Sequence, residues 1–193
     1  MSRRIAIEID ALPSGTGTDL AARGATADSW EGLGEWEPGI VSRLARIAAA
    51  RRWEIIFLTR QGRSSRGTPQ VDAQRWLESK GFTLPSVYVT PGSRGRIASA
   101  LHLDVVIDRD PENCVDVAAG SGARAILVWP GERSDLPDEV RRAELDIVKS
   151  IGECLDMLAA ADDRASRKPG FFAWVQRLYS SVVRVSTPPT SKS

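Results

Sequence analysis

Acidic and hydroxyl side chains follow several short apolar runs in this chain. Glu8 and Asp10 come at the end of the first run, Thr59 closes the second, and Asp108 and Asp110 follow a later one. The carboxyl ends of parallel strands meet at one edge of an open sheet, so we expect these side chains to gather there. Carboxylate oxygens from two strand ends are typical Mg²⁺ ligands, and the ion usually completes its shell with water and a substrate phosphate. The pattern predicts Mg²⁺-assisted chemistry on a phosphate group.

Two arginines lie between the third and fourth apolar runs. A guanidinium can hold phosphoryl oxygens through two parallel hydrogen bonds. Arg96 is the first candidate for that role and Arg94 the second, because Arg94 is expected at the surface. The sequence therefore favours Arg96 as a phosphate ligand.

Short apolar runs alternate with segments of helical period, a pattern typical of a parallel sheet covered by helices. The predicted strands are residues 4–9, 53–58, 86–89, 104–107 and 125–129. The predicted helices between them are residues 39–51, 69–80, 93–101 and 112–119. The expected fold class is α/β, with a doubly wound, Rossmann-like parallel sheet of about five strands.

The chain is expected to form one main domain, residues 1–161, with a C-terminal helical extension. Within that domain, a Gly-, Ser- and Thr-rich stretch at 12–37 predicts a small lid or loop, and an apolar stripe at 138–161 predicts one long helix. The remaining predictions are a linker at 162–169, an amphipathic helix at 170–185 and a disordered tail at 186–193.

Composition narrows the class of partner. The 193 residues carry 26 Lys and Arg against 25 Asp and Glu, which argues against a dedicated nucleic-acid binder. The two cysteines, Cys114 and Cys154, are isolated, so neither a disulfide framework nor a zinc site is expected. No apolar stretch is long enough to cross a bilayer. We expect a protein of the cytoplasm.

Four segments together resemble the haloacid dehalogenase (HAD) superfamily of phosphohydrolases. They occur in family order between Arg4 and Trp129, and the Asp-Pro-Glu-Asn stretch is most similar to the branch of 5′-nucleotidases and 5′(3′)-deoxyribonucleotidases. The four segments read Ile-Ala-Ile-Glu-Ile-Asp-Ala-Leu, Ile-Ile-Phe-Leu-Thr-Arg, Gly-Ser-Arg-Gly-Arg-Ile and Val-Val-Ile-Asp-Arg-Asp-Pro-Glu-Asn-Cys.

The resemblance implies a role for each of these positions. In the family, an Asp at the end of the first strand attacks phosphorus, and an Asp two residues later acts as acid and base. Glu8 falls on the nucleophile position and Asp10 on the acid/base position. The implied phosphate ligands are Thr59, Arg60 and Arg96, and the implied Mg²⁺ ligands are Glu8, Asp10, Asp108 and Asp110.

The chain departs from the family pattern in ways that bear on activity. Glu8 is one methylene longer than the usual Asp, and a misplacement of about 1 Å can cost on the order of 100-fold in rate. Arginine replaces the family's phosphate-binding lysine, Arg109 separates the two acids of the fourth segment, and 12–37 is too short for a nucleotide-recognising cap. Two functions remain open: a weak or inactive phosphohydrolase for a small phosphorylated molecule such as a nucleotide monophosphate, or a non-catalytic protein that binds a phosphorylated ligand or a protein.

Residues 171–183 carry a broad apolar face with flanking arginines. Such a face usually docks on protein, and its breadth and charge also fit peripheral contact with a membrane. Docking on protein is the favoured interpretation.

Overall fold

A computed structural model describes residues 2–12, 33–59, 68–143 and 145–167 of the chain. These residues form an α/β fold around one sheet of six parallel strands, which confirms the predicted fold class and adds a sixth strand. The strands are β1 (Arg4–Glu8), β2 (Glu54–Thr59), β3 (Ser86–Val89), β4 (Val105–Asp108), β5 (Arg124–Val128) and β6 (Asp146–Val148).

Helices connect successive strands, as the alternating sequence pattern predicts. They are α1 (Ile40–Arg51), α2 (Pro69–Ser79), α3 (Arg94–Ala100), α4 (Pro111–Gly120), α5 (Asp138–Arg142) and α6 (Ile151–Arg167). One-turn 3₁₀ helices follow β1 at Ile9–Ala11 and precede α5 at Arg133–Asp135.

The strand order places a crevice next to the first strand. The order is β3-β2-β1-β4-β5-β6, so the chain builds outward from β1 on one side and then crosses back to place β4 on the other. The carboxyl ends of β1 and β4 lie at this reversal, where open α/β sheets place their ligands. The topology therefore positions Glu8 and Asp108 at the edge where chemistry is expected.

Strand residues alternate between the two covered faces of the sheet. Ala6, Val106 and Leu127 belong to a core cluster that also contains Ala98 of α3 and Cys114 of α4. The strand residues between them, which face the other side of the sheet, are also buried. Examples are Ile5, Ile7, Phe57 and Ile107. Strands buried on both faces read as continuous apolar runs, which is why the sequence predicted them well.

The stretch at 138–161 is not one long helix. The structure divides it into α5, β6 and α6, so the prediction of a single helix was wrong. The apolar residues fit a helical period. Periodicity contains no information about the backbone hydrogen-bonding groups on the outer edge of β5, to which another strand can bind. β6 uses them, with Ile147 beside Leu127. A local signal was present, because Ser150 and Glu153 have the spacing that starts a helix, and Ser150 Oγ accepts a bond from Glu153 N at 3.1 Å.

The chain divides into two compact units, Met1–Met157 and Leu158–Ser193. Helix α6 continues to Arg167, so residues 162–167, which the sequence assigned to a linker, are helical. The predicted helix at 170–185 and tail at 186–193 lie outside the described residues. Among the helices of the described part, none is both long enough and apolar enough to cross a membrane.

The outer edge of β3 is covered by two glutamines of α2. Gln70 Nε2 donates to the carbonyl oxygen of Val87 at 2.8 Å, and Gln74 Nε2 donates to that of Pro85 at 3.2 Å. The backbone N–H of Thr90 donates to Thr59 of β2, so the backbone groups of Thr90 point toward β2. Backbone groups alternate in direction along a strand, so the carbonyl groups of Pro85 and Val87 point to the open side of β3. The two glutamines therefore occupy outward carbonyls of this edge strand.

Candidate functional site

Two acids lie side by side at the reversal of strand order. Ile7 of β1 is registered with Ile107 of β4, so Glu8 and Asp108 come next to each other at the carboxyl ends of these strands. Alternation places both on the face covered by α3 and α4. Glu8 is 6% exposed and Asp108 is 1% exposed. The sequence prediction that these acids share one sheet edge agrees with their positions.

Arg94, the first residue of α3, reaches Glu8. Its Nη2 donates to Glu8 Oε2 at 2.5 Å, and both side chains are buried. Its Nη1 donates to the carbonyl oxygen of Thr90 at 3.2 Å and also to the hydroxyl of Thr90. The surface position expected for Arg94 was wrong, whereas Arg96, the residue favoured for the phosphate, is exposed. We call Glu8, Asp108 and Arg94 the strand-end triad.

Close packing of α3 on α4 fixes the start of α3. A Cβ at Gly95 would lie 2.3 Å from the carbonyl oxygen of Asp116 and 3.1 Å from Cα of Gly120, so only glycine fits there. The carboxylate of Asp116 accepts bonds from Gly95 N at 3.0 Å and from Ser93 Oγ at 2.8 Å. These contacts hold the first turn of α3, and with it the guanidinium of Arg94.

Neighbouring groups of α4 bind both oxygens of Asp108. Asp110 N donates to Oδ1 at 2.8 Å, and Asn113 Nδ2 donates to Oδ2 at 2.8 Å. Asp110 itself caps α4, with Oδ1 accepting a bond from Glu112 N at 2.9 Å. The Asp-Pro-Glu-Asn stretch thus works here as a helix start that fastens Asp108.

Burial changes the protonation of the two acids. Burial and, after it, the charge of Asp108 raise the pKa of Glu8 to about 8, against the opposing charge of Arg94. Burial likewise raises the pKa of Asp108 to about 6, against the bonds from Asp110 N and Asn113. With one pKa above 7 and one below, the two acids together keep about one proton near pH 7.

Three of the other predicted site residues, Asp10, Thr59 and Asp110, belong to the described part of the chain. Thr59 is fully buried, and its carbonyl oxygen accepts a bond from Thr90 N at 2.7 Å. Asp10 is exposed in the 3₁₀ turn after β1, and its charge contributes to the raised pKa of Glu8. Asp110 is half-buried at the start of α4. Arg60 lies outside the described residues.

Arg109, which separates the two acids of the fourth segment, stacks on an aromatic ring. Its guanidinium carbon lies 4.8 Å from the centre of the Trp36 ring, and Trp36 is 44% exposed. Trp36 belongs to residues 33–37, the described end of the predicted lid. Trp36 N donates to the carbonyl oxygen of Leu12, and Glu37 Oε1 accepts from Ile151 N at 2.7 Å. This segment is tied to the body on both sides of Trp36.

The site does not fit the Mg²⁺ ligand set that the resemblance implies. One oxygen of Glu8 is bound to a guanidinium, and both oxygens of Asp108 already accept N–H bonds. Within residues 2–12, 33–59, 68–143 and 145–167, no three or more of the His, Cys, Asp and Glu side chains form a group that could hold a metal ion.

Sequence reasoning missed Arg94 and Asn113 as partners of the acids. The helical period contained a signal for Arg94, because Arg94 and buried Ala98 lie one turn apart, on the face of α3 that packs against the body. Arg96, two residues on, points away from that face. For Asn113, the signal was the quoted Asp-Pro-Glu-Asn stretch itself, whose last residue lies one turn into α4.

Comparison with protein-family models gives no match for this chain, and comparison with curated proteins gives none either.

Proposed function

We propose that this chain is a non-catalytic protein with a HAD-like scaffold, and that its role is to bind a protein partner. One observation carries the proposal: the side chain at the nucleophile position, Glu8, is bound by the guanidinium of Arg94. Attack on phosphorus needs an ionised, accessible carboxylate oxygen. Glu8 is buried, and its pKa is raised to about 8, so it mostly keeps its proton near pH 7. The guanidinium of Arg94 also attracts any negative charge that remains on its carboxyl group.

The same pair argues against a phosphorylated ligand at this edge. A phosphate group would have to take Arg94 away from Glu8 and then lie beside two buried carboxyl groups. Those groups repel an anion whenever either is ionised. Binding is therefore assigned to another part of the chain, and the apolar face at 171–183 is the one that the sequence offers for docking on protein.

A HAD-type phosphohydrolase is the second candidate. In its favour, Asp10 lies two residues after β1, and Thr59 and Asp108 end β2 and β4, which is the order that the resemblance requires. A nucleotide monophosphate would be its substrate.

Phosphatase assays separate the two candidates. The full chain is tested against p-nitrophenyl phosphate and a panel of nucleotide monophosphates, with and without Mg²⁺, beside Glu8→Asp, Asp108→Asn and the double variant Glu8→Asp/Arg94→Lys. Arg96→Lys is the matched control, because it makes the same exchange at an exposed position two residues away. We expect no turnover by the unaltered chain. Turnover that Asp108→Asn abolishes would refute the proposal, while turnover only in the double variant would mean that the scaffold lacks just its nucleophile and lysine.

Docking through 171–183 is tested on the full chain and on Phe171→Ser/Trp174→Ser. If the face binds a second copy, the molar mass by light scattering falls from dimer to monomer in the variant. An unaltered chain that is already monomeric would refute docking between copies. Liposome binding that the variant loses would favour the membrane instead.

A further inference from the structure

The strand-end triad contains its own cation. Glu8 and Asp108 end neighbouring strands, and the guanidinium of Arg94 contacts Glu8, while its charge opposes the rise that burial causes in the pKa of Asp108. Arg94 is only 1% exposed, so its charge acts within the protein rather than being screened by water. A positive group thus lies among the acids at the position where the family implies a divalent ion.

The surrounding structure holds this cation in place from both ends. Thr90 accepts two bonds from Nη1, on the side away from Glu8. At the backbone, Gly95 lies against Asp116 and Gly120, which prevents the first turn of α3 from moving closer to α4. Arg94 is therefore a fixed part of the core rather than a surface side chain that rotates in and out.

We propose that Arg94 takes the place of a divalent cation at this sheet edge, so that Glu8 and Asp108 do not bind Mg²⁺. A second cation would be repelled by the guanidinium, and it would have to displace N–H donors from both oxygens of Asp108. Removal of the guanidinium leaves two neighbouring carboxyl groups without the positive charge that now contacts Glu8. We therefore expect Mg²⁺ to stabilise the chain without Arg94 and to leave the stability of the unaltered chain unchanged.

Thermal unfolding of the full chain in about 10 mM Mg²⁺, against NaCl of equal ionic strength, tests this proposal. A site with a dissociation constant of about 0.1 mM would raise the unfolding temperature by about 5–10 °C under these conditions. We expect a change below about 1 °C for the unaltered chain and for Arg94→Lys, which keeps the charge. Arg94→Met should unfold at lower temperature and regain about 5–10 °C in Mg²⁺, and Arg94→Met/Asp108→Asn should lose that gain.

Arg96→Met is the matched control, because it removes an exposed guanidinium two residues away, and it should gain no response to Mg²⁺. Two results would overturn the proposal: a saturable Mg²⁺ effect in the unaltered chain that Asp108→Asn abolishes, or a folded Arg94→Met chain that ignores the ion. If Arg94→Met does not fold, calorimetric titration of Mg²⁺ into the unaltered chain and Asp108→Asn decides. Mg²⁺ binding without turnover would overturn this inference alone, and turnover without Mg²⁺ would overturn only the proposed function.

Discussion

Strand β1 carries an Arg–Glu ion pair at each end, and the two pairs differ mainly in their access to water. At the amino end, Arg4 Nε lies 2.8 Å from Glu54 Oε2, with side chains 45% and 49% exposed. At the carboxyl end, Arg94 Nη2 lies 2.5 Å from Glu8 Oε2, with side chains 0% and 8% exposed. The same two residue types form a screened surface contact in one place and a contact shielded from water in the other. Burial, and not residue type, decides how much each pair contributes.

The largest effect should come from breaking the buried pair. Arg94→Met strands the carboxyl group of Glu8 in the core, which should lower the free energy of unfolding by about 3 kcal/mol or more. Glu8→Met/Arg94→Met should recover most of that loss, because no buried carboxyl group remains without its partner at position 8. Urea unfolding measures both, with Arg96→Met as a control that changes stability by less than about 0.5 kcal/mol. A loss below about 1 kcal/mol in Arg94→Met would mean that the buried pair is no stronger than the exposed one.

The pH dependence of stability should come from the buried end. In the unfolded chain Glu8 releases its proton near its usual pKa of 4.5, and in the folded chain near 8. Between these values the folded state holds more protons, so stability falls as the pH rises, by about 1.4 kcal/mol per pH unit at most. The contribution of the Glu8 proton to the free energy of unfolding is complete below about pH 4.5 and is lost above about pH 8.

Urea unfolding at pH 6, 7 and 8 measures this slope. Glu8→Gln should flatten it, since the pKa of Asp108, raised to about 6, acts mainly at lower pH. Glu54→Gln should keep it, because Glu8 is unchanged. Stability that rises between pH 6 and 8 in the unaltered chain would show that the charge of Arg94 outweighs burial.

The support behind the buried pair can be removed without touching either charge. Gly95→Ala places a Cβ against the backbone of Asp116, and relief of that overlap should cost about 1–3 kcal/mol. Gly92→Ala is the matched control, because nothing lies within 4 Å of a Cβ there. It should be neutral or stabilising by up to about 1 kcal/mol. If Gly95→Ala moves α3, then Arg94→Met should cost less in that background, and equal costs would show that the support is independent of the pair.

The exposed pair should give the smallest effect. Glu54→Gln should change the free energy of unfolding by less than about 1 kcal/mol, and the change should vanish in about 0.5 M salt. Arg4 keeps its bond to the carbonyl oxygen of Leu101 in this variant. An effect as large as that of Arg94→Met would remove the difference between the two ends of β1.

Five of the six strands were predictable because a strand that is buried on both faces of the sheet has a continuous run of apolar residues. The predicted strand at 86–89 matches β3, the first predicted strand runs one residue past β1, and the other three are displaced by one residue from β2, β4 and β5. β6 was not predictable from periodicity, because three residues at a sheet edge carry too little pattern to outweigh a helical stripe. What it needed was the partner strand, a contact between distant parts of the chain.

The acids of the candidate site were predictable, but their state was not. Glu8 and Asp108 follow apolar runs, and strand order brings such positions together. Whether a carboxyl group there is free or bound depends on which face of α3 is buried. That choice rests on the contact of Gly95 with Gly120 across two helices, 25 positions apart in the chain. Local spacing favoured Arg96 because it contains no information about that contact.

The glutamines over β3 affect how copies of this protein meet one another. An uncovered outer strand is a template onto which another extended chain can join, and repeated joining leads to fibres. Gln70 and Gln74 already use the carbonyl oxygens of Val87 and Pro85, and proline has no N–H to offer. A strand from a second molecule would therefore find these two carbonyl oxygens already bound between 85 and 87. This arrangement disfavours the pairing of sheets between copies at the outer edge of β3.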